Sequence, residues 1–183
     1  MEHKKLLTVT VPCYNSQAYM RKALDSLLTG GERLDIIVID DGSKDDTGAI
    51  ADEYAANHPD IVRVVHQPNG GHGAGINRGI ELAQGVYFKV LDSDDRADPA
   101  ALKALLADMR GLAGSPVDLV VHDYVYDRPE REAVHRIRYS GAFPERPRQP
   151  ASRRWRRFRI RAGGGAGRRR SARPAGAWRS PPW

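Results

Sequence analysis

The feature that most constrains this chain is the segment DIIVI at residues 35–39, four consecutive β-branched residues set between stretches of helical periodicity. An apolar run without alternation reads as a strand covered on both faces, and in a parallel sheet helices supply that cover. The neighbouring segments keep the same rhythm. Residues 6–11 read as a strand, and Ser16 is expected to cap a helix with Met20, Leu24, Leu27 and Leu28 on one face, stopped at Gly30 and Gly31. Asp45 or Asp46 opens a helix that runs to about His58, ahead of Pro59. Residues 61–65 form a third strand, 76–83 a helix and 86–91 a fourth strand. Asp98 and Pro99 start a helix with Leu102, Leu105, Leu106 and Met109 on one face. Residues 117–121 read as another strand, and 133–139 as one at an edge. The expected fold is α/β: a Rossmann-like open, mostly parallel sheet with helices on both faces, whose ligands sit outside the carboxyl ends of the strands.

Two acidic clusters fall at such ends, IDDGS at 39–43 and LDSDD at 91–95. Carboxylates there are expected to lie outside the core, and three within four residues repel one another unless a cation or hydroxyls engage them. Asp92 and Asp94, with Asp95 beside them, suit a hard divalent cation, Mg²⁺ or Mn²⁺, which keeps waters and accepts phosphate oxygens. A plain helix-capping role is weakened because Asp98 already caps the next helix. An EF-hand is excluded, since Ala97 stands at the position of its turn glycine and Lys103 at that of its bidentate glutamate. In IDDGS, Gly42 permits a tight turn; Asp40 or Asp41 either accepts hydrogen bonds from a base or ribose, or caps the following helix. The loop NGGHGAG at 69–75 opens a helix whose first amides favour an anion. Asn77 and Arg78 on its first turn either reach a diphosphate or belong to a surface helix. The loop lacks the third glycine of G-x-G-x-x-G and the G-K-[ST] of a P-loop.

The net charge of +6 averages two unlike parts. Residues 1–145 carry all 23 acidic side chains against 16 basic ones, a net of −7. Residues 146–183 carry 13 Arg and no acid, and 29 of these 38 residues are Arg, Gly, Ala or Pro. This tail is expected to be disordered. Its composition fits out-of-frame translation of a GC-rich gene better than an anion-binding arm, in which Arg153 to Arg161 with Trp155 and Phe158 would grip phosphates and stack bases. No nucleic acid is expected on the folded part. The lone Cys13 excludes an internal disulfide and reads as a buried small hydrophobe. With no signal peptide and no span of about 20 apolar residues, the chain is expected to be cytoplasmic, with peripheral contact at the inner face of a membrane left open.

The segments VTVPCYN, IVIDDGSKDDT, NGGHGAGINRGIELAQG and YFKVLDSDD, in this order and spacing, resemble the N-terminal half of a family 2 glycosyltransferase over roughly residues 5–125. The resemblance implies a GT-A fold, a nucleotide-diphospho-sugar donor of UDP or GDP type and a divalent cation. It also implies inversion at the sugar carbon by attack of a hydroxyl on an acceptor glycan or lipid-linked saccharide, in polysaccharide or glycoconjugate synthesis. Residue by residue, Pro12, Tyr14 and Asn15 should line the nucleotide, with Tyr14 near the base. Asp41 should accept from the base, supported by Asp40. Asp92 and Asp94 match the D-x-D that touches ribose and metal, and Asp95 shares either role. Ile76 departs from the family, many of whose members carry Arg there. Members place a general base late in the chain, and no acid follows Glu145. The expectation is therefore a donor-binding half with weak or no transferase activity.

Overall fold

The computed structural model describes residues 5–115, 117–128 and 133–139. They fall into two compact units, the first reaching Val120 and the second beginning at Val121. The tail over 146–183 lies outside the described residues.

The first unit is built on four parallel strands: β1 (Leu7–Cys13), β2 (Leu34–Asp40), β3 (Val62–His66) and β4 (Tyr87–Val90), in the order β3-β2-β1-β4. Between them run α1 (Met20–Leu28), α2 (Thr47–Asn57) and α3 (His72–Leu82), and α4 (Pro99–Leu112) follows β4. β2 is buried along its whole length, as DIIVI implied, and so is β1. The pleat divides their side chains between two layers. Leu7, Val9 and Val11 with Leu34, Ile36 and Val38 join Met20, Leu24 and Leu27 of α1, Ile50 and Tyr54 of α2, and Leu102, Leu106 and Met109 of α4 in one core.

The other face carries Thr8 and Thr10 and receives α3, whose glycines let it lie flush on the sheet. A Cβ at Gly79 would stand 2.1 Å from Thr10 Oγ1, and one at Gly75 would stand 3.3 Å from Pro12 Cβ. At the amino ends of the strands, Asp35 is buried and its carboxylate accepts Arg63 Nε and Nη2 at 2.8 Å each, together with the Thr8 hydroxyl at 2.7 Å. This locks β1, β2 and β3 in register away from the carboxyl ends.

Three expectations are corrected. Ser16 does not cap α1 with its side chain; its carbonyl accepts from Tyr19 and Met20 while its hydroxyl faces inward to Ser93. α3 begins at His72, four residues earlier than the glycines implied. Residues 117–121 form no strand, and Leu119 is 77% exposed. The run has the composition of a strand, but a strand exists only where a partner edge pairs with it. In the second unit β5 (Tyr124–Arg128) pairs antiparallel with β6 (Ala133–Ile137), the latter close to the edge strand expected over 133–139. Asp98 caps α4 as expected, accepting from the Ala101 amide at 2.7 Å with Pro99 at the first helical position. No helix among the described residues is long and apolar enough to cross a membrane.

Candidate donor-binding site

Strand order 3-2-1-4 means that the chain leaves β1 in one direction for β2 and β3, then returns to the opposite side for β4. The crevice at such a reversal is where open α/β sheets take their ligands. An open cleft of about 370 Å³ lies there, lined by Pro12 and Tyr14 from the exit of β1, Asp41 from the exit of β2, and Asn69, Gly71 and His72 from the glycine-rich loop.

Both acids of IDDGS are buried, Asp40 at 7% and Asp41 at 4% exposure, so the expectation of strand-end carboxylates outside the core is corrected for this pair. Their burial is possible because every approach is filled by a donor. Asp41 Oδ1 accepts from Gln67 Nε2 at 2.7 Å and the Gly70 amide at 2.9 Å, and Oδ2 accepts from the Gly71 amide at 2.7 Å. Burial alone would raise the Asp41 carboxyl, but Gln67 and the two amides hold it below the ordinary carboxylate range. Asp40 accepts from the Ser43 amide at 3.0 Å and from His66 Nδ1 at 2.9 Å, which against the same burial also hold it low. Neither acid caps α2. Asp45 takes that part, accepting from the Thr47 amide at 3.0 Å.

The turn after β1 is fastened to this cluster. Asn15 sits at φ 51°, sparsely populated for a residue with a Cβ. Its amide donates to Ser43 Oγ at 3.0 Å and its side-chain oxygen accepts from the Lys44 amide at 2.9 Å. These bonds leave Tyr14 48% exposed at the cleft, a free aromatic face. Cys13 is buried, and burial pushes its thiol up to about 12, which fits packing and not nucleophilic chemistry.

LDSDD alternates as a strand end should. Leu91 and Ser93 are buried, and Ser93 Oγ shares a hydrogen bond of 3.0 Å with Ser16 Oγ, while Asp92, Asp94 and Asp95 are exposed. Asp92 Oδ1 stands 3.7 Å from His72 Nε2, which connects the acidic run with the cleft wall. The Asp95 carboxyl is raised by burial and by the charges of Asp94 and Asp92, with Lys89 opposing. Such crowding of carboxylate oxygens is a donor set that suits a hard divalent ion taking its other ligands from water and phosphate. Among the described residues no three His, Cys, Asp or Glu side chains form a ready cage.

Of the residues singled out in sequence, Pro12, Tyr14 and Asp41 line the cleft, Asn15 and Asp40 support it, and Asp92, Asp94 and Asp95 follow β4 beside it. Asn77 and Arg78 do not line it; both are exposed, and Arg78 pairs with Glu81 at 3.0 Å on the surface of α3. Sequence reading missed Gln67, Asn69, Ser93 and His66, whose roles depend on partners up to 77 residues away.

The sequence model described as Glycosyl transferase family 2 matches residues 8–174. The chain belongs to that family. Its relatives are glycosyltransferases: YibD of Escherichia coli K12, itself uncharacterized, is 40% identical over 107 residues, covering 58% of this chain and 31% of YibD. Chondroitin synthase of Escherichia coli is 38% identical over 106 residues, covering 57% of this chain and 15% of the synthase. The chain thus spans a third or less of the length of these relatives. Among solved structures, S. aureus TarS 1–349 in complex with UDP-GlcNAc matches at TM-score 0.52 and 30% identity, over 59% of this chain and 32% of that one. The mannosyltransferase PcManGT of Pyrobaculum calidifontis, in complex with GDP-Man and Mn²⁺, shares the fold at TM-score 0.50 and 24% identity over 57% of this chain and 32% of that one. The family 2 chain has the α/β fold of GT-A type that its motifs implied.

Proposed function

We propose that this family 2 chain binds a nucleotide-diphospho-sugar of UDP or GDP type in the cleft. By that reading the sugar passes, with inversion, to a hydroxyl of an acceptor glycan or lipid-linked saccharide, in the cytoplasm or at the inner face of a membrane. The observation that carries the reading is a buried Asp41, held below the ordinary carboxylate range, in the wall of an open cleft, with the exposed Asp92 3.7 Å from His72 of the same wall. TarS, with UDP-GlcNAc bound, supports the donor class.

Each residue then has a physical task. The exposed Tyr14 ring stacks on the base. Asp41 Oδ2 takes a single internal hydrogen bond and keeps a lone pair for a base N–H. Asp40 and Asn15 hold that geometry, and Asp92 accepts from ribose. Asp92 and Asp94 would hold Mg²⁺ or Mn²⁺, with Asp95 adding charge, and the ion would supply charge neutralisation for the diphosphate leaving group. Attack by the acceptor hydroxyl needs a general base. We assign none of residues 5–128 to that role, so donor binding is the activity to test first, and a non-catalytic donor-binding fragment is the alternative.

The test is a calorimetric titration of UDP and of GDP into the full chain, with and without Mn²⁺. One nucleotide is expected to bind in a Mn²⁺-dependent manner, and Asp94→Ala to abolish the Mn²⁺ dependence. Absence of binding by both nucleotides overturns the reading.

A further inference from the structure

The last residue of β3, His66, has both ring nitrogens against carboxylates. Nδ1 is 2.9 Å from Asp40 Oδ2, on β2, and Nε2 is 3.0 Å from Asp52 Oδ1, on α2. An ionised carboxylate only accepts hydrogen bonds, and a neutral imidazole carries one N–H. Both contacts are satisfied together only by the imidazolium. The elements packed on β3 are β2 and α2, and the charged groups acting on the ring are Asp40 from the first and Asp52 from the second. Glycine at position 48 keeps α2 close to the pair: a Cβ there would stand 3.0 Å from Asp40 Oδ2 and 3.4 Å from His66 Cε1. The His66 side chain remains 50% exposed, so it exchanges protons with solvent.

The clamp is connected to the cleft by two short routes. Asp40 Oδ1 accepts from the Ser43 amide and Ser43 Oγ accepts from the amide of Asn15 at its left-handed position, both hydrogen bonds at 3.0 Å. Through the backbone, the Asp40 carbonyl accepts from the Gln67 amide at 3.0 Å, and Gln67 Nε2 in turn holds Asp41. We propose that His66 is a positioning residue of the donor cleft: as an imidazolium clamped between Asp40 and Asp52, it holds the end of β2, and with it the Asn15 turn and Asp41, in the nucleotide-binding arrangement. The inference rests on the donor-site reading of the cleft.

The sign of the pH dependence follows. Asp40 first, then Asp52, push His66 above the ordinary histidine value against the effect of burial. The clamp is therefore complete below the ordinary histidine value, as long as the two carboxylates stay ionised, and is lost as pH rises through the raised value. Donor affinity falls in the same window.

Two measurements on the full chain test this. In the first, histidine ring and backbone amide resonances are followed by NMR from pH 5.5 to 9 without ligand. The expectation is that His66 titrates above 6.5, that the Ser43 and Asn15 amides move with the same midpoint, and that Asp52→Asn lowers that midpoint. A His66 midpoint at or below 6.5, or amides that do not follow it, overturns the proposal whether or not a nucleotide binds. In the second, UDP-GlcNAc, whose diphosphate diester has no ionisation in this range, is titrated with Mg²⁺ at pH 6 and 8.5. The Kd is expected to rise about tenfold, the equivalent of one charge-assisted hydrogen bond, and His66→Gln to bind weakly with a flat profile. A flat profile in the unaltered chain overturns the inference. Absence of UDP-GlcNAc and UDP binding at pH 6 counts instead against the donor-site reading.

Discussion

The carboxylate of Asp41 and the backbone amide of Gly71 meet at 2.7 Å, joining the exit of β2 to the first residue before α3. Gly71 has φ 84°, and a Cβ there would touch nothing within 4 Å. Its glycine is thus required by the backbone alone, to turn its N–H toward Asp41. Gly71→Ala is expected to cost about 1 kcal/mol of stability in denaturant unfolding. It is also expected to weaken UDP binding, because the loop that lines the cleft loses its orientation.

α3 supplies a paired comparison. At Gly79 an added methyl collides with Thr10 on β1, at 2.1 Å from its hydroxyl, whereas at Gly73 it meets only open space. Gly79→Ala should lose about 3 kcal/mol by overpacking. Gly73→Ala, on the same helix, should be neutral or gain up to about 1 kcal/mol from helix propensity. Thermal unfolding of the two variants checks the flush seating of α3.

The buried acids predict an acid-labile site. Asp40 and Asp41 are both held low against burial, the first by Ser43 and His66 and the second by Gln67 and the Gly70 and Gly71 amides. A depressed folded-state value contributes stability that is present above the unfolded value and lost as pH falls through the folded one. The melting temperature should therefore hold down to about pH 5 and fall below about pH 4, near and under the unfolded aspartate value. Asp41→Asn should flatten that acid limb.

At the opposite end of the strands, Asp35 and Arg63 form a two-pronged ion pair in which Asp35 is 2% exposed. Removing one partner strands the other. Arg63→Ala is expected to cost about 3 kcal/mol while the nucleotide Kd of the folded fraction stays unchanged. Comparing unfolding with titration separates this structural pair from the binding cluster.

The fold was legible wherever one segment carried its own reason. DIIVI had to be a strand covered on both faces, and Asp98-Pro99 had to open a helix. The start of α3 was hidden because glycines argue against helix; what orders them is Asp41, thirty residues away, drawing in the Gly70 and Gly71 amides. Burial of Asp40 and Asp41 was hidden for the same reason, since the donors that offset it come from Gln67, His66 and loop amides distant in sequence. Ser16 looked like a cap because only its local surroundings were visible, and its partner Ser93 lies 77 residues on, in the turn that follows β4. For Arg78 the sequence left a diphosphate contact and a surface helix open, and the pairing with Glu81, one turn on, became visible only in the structure.

The most direct test of the account is an amide correlation spectrum of the full chain with UDP, before and after substoichiometric Mn²⁺. The donor-site reading predicts UDP-induced shifts at Tyr14, Asn15, Gly70 and Gly71, and paramagnetic broadening centred on Asp92, Asp94 and His72. Broadening centred elsewhere, for instance along α4, or no response of the Asn15 and Gly71 amides to UDP, would contradict it.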